Sequence, residues 1–567
     1  MKMQKMCLVF TWKWLKIWYN ICITHKGEIF MIPWWRAFAL AACLGLSLVT
    51  LATGSVQALP TTAGISQFDS HFPDVNPTDG LQARNRRVFR AYGGQGTIHL
   101  INHGATAAKA FVNGRPIELK GVLARSDGQE TLDIGKMTQT GDNTFKVLDV
   151  EPQQGWIEAR IPYPTLTTGQ PKDVGISQKK LDKVDNLILR DVANGFPGAV
   201  LLVTYRGKII KESAYGWAKE YDRERLLPER WRQPMTVHTM FDLASNTKMY
   251  ATILAFMKLT EEGRVNPADL VCKYLPQFTG GGRERIRLCD VMAHTAGFSP
   301  SAFFYKPQSG PLYSLDRVRT EQLLNQVPLV YPTGTKTLYS DTDYMLLGTV
   351  IEKITGQRLD DYVEQTIYQP LGLTRTAFNP LQKGFLPKDM AATEPCGNTR
   401  SGMVWFPGIR TDTLQGQVHD ENAWYSMGGV SGHAGLFSQA RDLAVLTQLL
   451  LNKGGYGEYR LCSARIVSRY TRPGDGNPRF GLGWNIGGLP ERIWEFGPYA
   501  GDEAFGHTGW TGTDIIIDPR HDLAIILLTN RIHEPNVPGQ VNTFQTDDFE
   551  TCSYGSIPAM IYEAILE

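Results

Sequence analysis

Ser245 and Lys248 stand three residues apart in MFDLASNTK, immediately before the apolar run YATILAFMKL. The run predicts a helix that starts at or near Ser245, so the two side chains share one helix face. Main-chain N–H groups at a helix start point toward developing negative charge and disfavour a protonated lysine. A lysine so placed can accept the proton that a serine must lose to become a nucleophile. The expected chemistry is therefore acyl transfer through a serine ester. The same spacing arises by chance in many helices, where a serine at the start acts as a cap.

These residues need elements to hold them. The 567 residues are too many for one ordinary core and suit two or three domains. Hydrophobic residues make up 42% and charged residues 20%, which excludes a disordered chain and a many-span membrane protein. The 58 basic residues nearly balance the 56 acidic ones, so nucleic acid is not an expected partner. Residues 31–58 read as an export signal: Arg36, an apolar run from Ala37 to Ala52, then small residues at Val56 and Ala58. Translation is expected to begin at Met31, and the mature chain near Leu59. If the signal is not cleaved, its apolar run becomes a single inner-membrane anchor. Cys43 resembles a lipoprotein cysteine, but it sits inside the signal core and reads better as part of it. The predicted location is the periplasm. Three of the eight cysteines leave with residues 1–58, and the other five are too scattered for a metal cluster or a redox pair.

Beyond an extended lead-in at 59–85, residues 86–163 alternate as short strands. They carry an Asn113-Gly114 hairpin signal and predict a small all-β sandwich-like domain. It is either a wall- or sugar-binding module or a packing domain; no aromatic platform is evident, which favours packing. A Pro/Gly/Thr linker at 164–173 leads to a domain at 174–567. A helix is expected over 176–195, a strand pair over 198–218, another over 512–531, and a closing helix over 556–566. Strands early and late around a helix-rich middle imply one sheet assembled from both ends of that domain.

Five ordered blocks then carry a resemblance: DLASNTKMYAT at 242–252, HTAGF at 294–298, YSDTDYMLLG at 339–348, GQVHDENAWYSMGGVSGHAGLFS at 416–438 and GHTGWTGT at 506–513. Residues 174–567 resemble the serine β-lactamase and penicillin-binding protein superfamily, in its branch of class C β-lactamases and D-alanyl-D-alanine carboxypeptidases. The resemblance implies an α/β fold: a β-lactamase/transpeptidase-like domain with an antiparallel sheet flanked by helices, plus a helical subdomain. It implies that Ser245 is the acylated nucleophile, Lys248 its partner and Tyr339 a proton carrier. His507, Thr508 and Gly509 stand in the third motif, on an expected edge strand that recognises the acyl donor. The amides of Ser245 and Trp510 then form the oxyanion hole.

Two positions depart from the family pattern. Asp341 replaces the usual asparagine; it either faces Lys248 and favours the charged ammonium, or binds an amine of the substrate. His507 replaces the usual lysine and grips a substrate carboxylate less strongly, unless Asp341 keeps it protonated. His294, His419 and His433 match no compact zinc spacing, so no metal and no cofactor are expected. His294 reads as structural. The implied partner is a peptidoglycan peptide or a small amide or ester, with a β-lactam adduct on the serine. A monomer is expected. An esterase or D-amino-acid peptidase is the nearest alternative, followed by a β-lactamase and by an inactive wall-binding sensor.

Overall fold

A computed structural model describes residues 69–73, 86–152, 154–474 and 477–566. The expected signal at 31–58 lies outside the described residues. Of the lead-in, Asp69–Pro73 forms a strand. Among the described residues no helix is long and apolar enough to cross a membrane.

Residues 86–160 alternate polar and apolar, and this period of two builds two four-stranded sheets. One has the order Asp69–Pro73, Trp156–Arg160, Thr97–His103, Gln129–Asp133; the other Arg86–Ala91, Gly141–Glu151, Ala107–Val112, Arg115–Ile117. Asn113 and Gly114, both at positive φ, make the tight turn between the last two of these strands. Phe89, Ile98, Leu100, Val112, Phe145, Val147 and Ile157 fill the core of this block.

The larger sheet joins the two ends of the remaining chain. Its order is Gln233–Pro234, Lys208–Lys219, Gly198–Tyr205, Leu523–Thr529, Thr513–Asp518, Phe505–Gly509, Asn485–Ile486, with Thr167–Thr168 beside Lys208–Lys219. All eight residues of Gly198–Tyr205 are buried because both faces of the strand are covered. Val200 and Leu202 point into the helical middle of the chain. Ala199, Leu201 and Val203 point the other way, onto helices Gln178–Ala193 and Ser556–Leu566. The first of these helices presents Leu181, Val184, Leu187 and Ile188 at helical spacing. Each fully buried apolar side chain of this kind contributes about 1.5–3 kcal/mol.

The strand block packs against this sheet through named contacts. The Tyr92 hydroxyl donates to Asp522 Oδ1 at 3.1 Å and accepts from Gln448 Nε2 at 2.8 Å. Arg90 pairs with Asp522 at 2.8 Å. The ring of Tyr92 lies over Gly207, where a Cβ would come within 2.2 Å of it, so only glycine fits.

Candidate active site

A short antiparallel pairing sets the entrance to the site. Phe241–Asp242 pairs with Leu436–Ser438, in register Phe241 to Ser438. The chain then turns sharply at Ala244, a non-glycine residue at φ 45°. The buried Asp242 carboxylate holds this turn by accepting N–H bonds from Ala244 at 2.9 Å and His419 at 2.6 Å. Ser245 sits in a 3₁₀ turn, Ala244–Asn246. A π-helical stretch, Lys248–Ile253, follows, and then an α-helix, Leu254–Glu261. The predicted helix is thus three helical forms in succession, and wide turns of this kind often mark functional sites. Asn246 Nδ2 donates to Thr513 Oγ1 at 3.0 Å, tying the turn to the strand pair beside it.

The Ser245 hydroxyl oxygen accepts two hydrogen bonds, from the Tyr339 hydroxyl at 2.7 Å and from Lys248 Nζ at 2.8 Å. Lys248 is fully buried. Its other donors reach Asp341 Oδ1 at 2.9 Å and the His433 carbonyl at 3.2 Å. Three acceptors match the three N–H bonds of an ammonium. Burial works against that charge, but Asp341 and Tyr339 outweigh it and raise the Lys248 pKa above its ordinary value. The helix start alone favours a neutral lysine, but the carboxylate 2.9 Å away favours the charged ammonium and outweighs it, as expected for the case in which Asp341 faces Lys248. Of the two readings of Asp341, the one facing Lys248 is observed.

Tyr339 immediately precedes helix Asp341–Thr355, as the sequence suggested. Burial raises its pKa while the Lys248 charge pulls it down; the net shift is upward, so the resting group is a neutral hydroxyl. The Lys248 Nζ atom is 4.8 Å from the ring centroid. A tyrosinate formed during reaction would gain directly from that charge.

His507 is 3% exposed. Its Nδ1–H donates to the Thr508 carbonyl at 2.7 Å, while Nε2 is buried without a partner. Burial, aided by the Lys248 charge, lowers its pKa to about 3. A protonated His507 maintained by Asp341 is thus corrected: Asp341 is spent on Lys248, and the imidazole is neutral. Its strand Phe505–Gly509 is only partly an edge, because Asn485–Ile486 pairs with Gly506 and Phe505.

A pH effect follows. The unfolded imidazole takes up a proton near pH 6.5 and the buried one only near 3, so the unfolded state binds more protons between these values. Stability is lost on acidification through this window, by up to ~1.4 kcal/mol per pH unit from this one group. Calorimetry should show a shallower fall in Tm between pH 6.5 and 4 for His507→Gln than for the parent; equal slopes would refute the assignment.

Two cavities meet at Ser245, Tyr339 and Trp510. The first, of about 620 Å³, is also lined by His507, Thr508, Gly509, Arg479, Arg492 and Arg531. The second, of about 290 Å³, contains Asp341, Asp420, Glu421, Arg400, His433 and Tyr305. One side of the nucleophile is thus rich in guanidinium groups and the other in carboxylates. Arg492 was invisible to sequence reasoning, since no local pattern marks it. Its nearest carboxylate, on the buried Glu495, is 3.4 Å away. Burial pushes that carboxyl up to about 7, so it offsets the arginine's charge only in part near neutral pH.

His433 and His419 line the second cavity, each beside a carboxylate. His433 Nε2 is 2.8 Å from Asp420 Oδ1, and His419 Nε2 is 2.9 Å from Glu394 Oε2. Gly432 lets this loop lie against helix Asp341–Thr355; a Cβ there would meet the Tyr344 carbonyl at 2.1 Å. Among the described residues no cluster of three or more metal-ligating side chains occurs.

Comparison with known proteins adds the following. A family model described as Beta-lactamase matches residues 184–546. An N-acetylmuramyl-L-alanine amidase of Bacillus subtilis (strain 168) is 51% identical over 400 residues, covering 69% of this chain and 90% of the relative. A Salmonella typhi protein, provisionally named a D-alanyl-D-alanine carboxypeptidase, is 46% identical over 414 residues, covering 71% of this chain and 95% of the relative. Among solved structures, a mutant simvastatin synthase of Aspergillus terreus aligns at TM-score 0.51 and 19% identity, over 71% of this chain and 99% of its own. EstCE1, a hydrolase with promiscuous acyltransferase activity, aligns at TM-score 0.50 and 22% identity, over 69% and 99%. The two structural likenesses show a shared fold.

Proposed function

The chain belongs to the Beta-lactamase family and is a serine hydrolase of the penicillin-binding protein type; from this we propose a cell-wall carboxypeptidase that cleaves peptides ending in D-alanyl-D-alanine. The observation that carries the reading is Arg492 in the cavity beside Ser245, Thr508 and Gly509. A carboxypeptidase must hold the free carboxylate of the departing residue. With His507 neutral, Arg492 is suited to do so, since Arg479 is paired with Glu491 at 3.0 Å and Arg531 with Asp547.

In this reading Tyr339 first releases its own proton to solvent; the tyrosinate, stabilised by the Lys248 charge, takes the Ser245 proton as Ser245 attacks the carbonyl and passes it to the leaving amine. The Ser245 and Trp510 amides receive the oxyanion, and Thr508 and Gly509 line the path of the leaving group. Water then releases the acyl group. Asp341 holds Lys248 charged. Export to the periplasm by residues 31–58 belongs to the same proposal, with an inner-membrane anchor where the signal is retained.

A second reading has specific support. The carboxylate-lined cavity offers Asp420, Glu421, Arg400 and Asn422 together with the ring of Tyr305, a mixture suited to a sugar's hydroxyls and apolar face. With the muramyl amidase relative in view, the acyl group would be a sugar-linked lactyl group and the leaving group the peptide. Incubating the full chain with a D-alanyl-D-alanine peptide and with a muramoyl peptide separates the two. Free D-alanine supports the first reading, a new peptide amino terminus the second, and neither product refutes both.

Arg492→Ala provides a sharper check. The lost charge-assisted bond should raise KM for carboxylate-ending peptides about 10–100-fold. A neutral ester should be affected far less. Equal losses on the two substrates would remove Arg492 from carboxylate recognition.

A further inference from the structure

We infer that His294, backed by Asp343, is the positioning residue for Tyr339. The inference rests on the reading of Tyr339 as the proton carrier, and it assigns a task to a buried pair that the reaction itself does not use. The main chain on both sides of Tyr339 is bound to this one histidine. The Leu338 N–H donates to the His294 carbonyl at 2.9 Å, and the Ser340 N–H donates to His294 Nδ1 at 3.1 Å. Between these two bonds the rings of His294 and Tyr339 lie 4.6 Å apart, centroid to centroid, at 41°. Tyr339 is therefore held by its backbone before and after the side chain, and by the imidazole against its ring. A hydroxyl held in this way cannot drift from the 2.7 Å it keeps to Ser245 Oγ without breaking that clamp.

The clamp determines the chemistry of its own members. If Nδ1 accepts from Ser340, its lone pair is engaged and the imidazole proton sits on Nε2, a buried atom with no hydrogen-bond partner among the described residues. Asp343 Oδ2 lies 2.9 Å from the same Nδ1, so this carboxyl must itself carry a proton and donate it. The surroundings favour such a neutral pair. Both side chains are essentially unexposed. The Lys248 and Arg492 charges act against positive charge on His294, the neutral His507 adds none, and Tyr339, Tyr344 and Phe480 close the remaining sides. Burial also pushes the Asp343 carboxyl up and the His294 imidazole down. The consequence is functional: the clamp brings no second cation near Tyr339, so Lys248 alone supplies the charge that favours its tyrosinate. His294 also lies at φ 58°, a conformation that asparagine tolerates and leucine does not.

The test uses the full chain with p-nitrophenyl acetate as the probe and compares His294→Leu, His294→Asn, Asp343→Leu, Asp343→Asn and Tyr339→Phe. Asparagine places an acceptor oxygen where Nδ1 stood, and Asp343→Asn places a neutral N–H donor where the carboxyl stood. His294→Leu is expected to lose about a hundredfold in kcat, the usual effect of a reacting group displaced by an ångström, with KM little changed and the alkaline limb of the pH profile shifted. His294→Asn should recover much of that loss, and Asp343→Asn should exceed Asp343→Leu clearly. Rates are taken per folded molecule. A His294→Leu variant with full kcat, or one whose loss leaves the pH profile untouched and is not rescued by asparagine, overturns the positioning role. Asp343→Asn as impaired as Asp343→Leu overturns the neutral carboxyl. A harmless Tyr339→Phe refutes the tyrosine's role and this inference with it. A damaging Tyr339→Phe beside a silent His294→Leu refutes the inference alone.

Discussion

Incubation with a labelled penicillin is expected to add the mass of one opened β-lactam to Ser245, and to add nothing to the Ser245→Ala variant. Hydrolysis by that variant should fall by about four to six orders of magnitude, the range seen when a nucleophile that works with its partners is removed. The geometry motivates both outcomes. Ser245 Oγ has two donors at 2.7 and 2.8 Å, one a hydroxyl able to move a proton and one a buried cation. Its cleft opens on both sides, so a ring-opened adduct has room. The substitution removes one partly exposed oxygen and leaves the fold intact, so lost activity reports chemistry. Peptide mapping after proteolysis decides the matter: a label on another residue, or equal labelling of the alanine variant, would displace Ser245 from its role.

Lys248→Met is expected to cost about three to four orders of magnitude in kcat, since one group supplies both the charge beside Tyr339 and the hold on Ser245. Stability should change as well. Removing one partner of a fully buried ion pair typically costs ~3–5 kcal/mol; here the cost should be smaller, because Asp341 keeps 27% of its side chain in water. The double variant Lys248→Met with Asp341→Asn separates the two effects. It leaves no unpaired carboxylate, so thermal unfolding should return toward that of the parent while kcat stays low. Recovery of activity together with stability would show that the lysine serves only the fold.

The helical spacing of Ser245 and Lys248 could be read before folding because three residues along a helix bring side chains together whatever surrounds them. The apolar runs in 198–205 and 513–529 were equally readable as strands, and so was their membership of one sheet, since apolar runs at both ends of a chain need a common sheet. The motif blocks placed Tyr339, Asp341, His507 and Trp510 around one cleft on resemblance alone. Arg492 escaped notice because its position depends on a loop fold that leaves no periodic trace. The clamp on Tyr339 was equally hidden: HTAGF shows a histidine, but not the two amides that meet it.

Residue types and their periods thus sufficed for the sheet, which follows from local spacing and the burial of apolar faces, while the family and the proposed members of the site were read from the resemblance of the motif blocks. Protonation was beyond their reach. Whether Lys248 is charged depends on Asp341, 93 residues away along the chain and 2.9 Å away in space. Whether His507 is charged depends on how completely water is excluded around it. Both are sums of burial and long-range charge, and those exist only once the chain has folded.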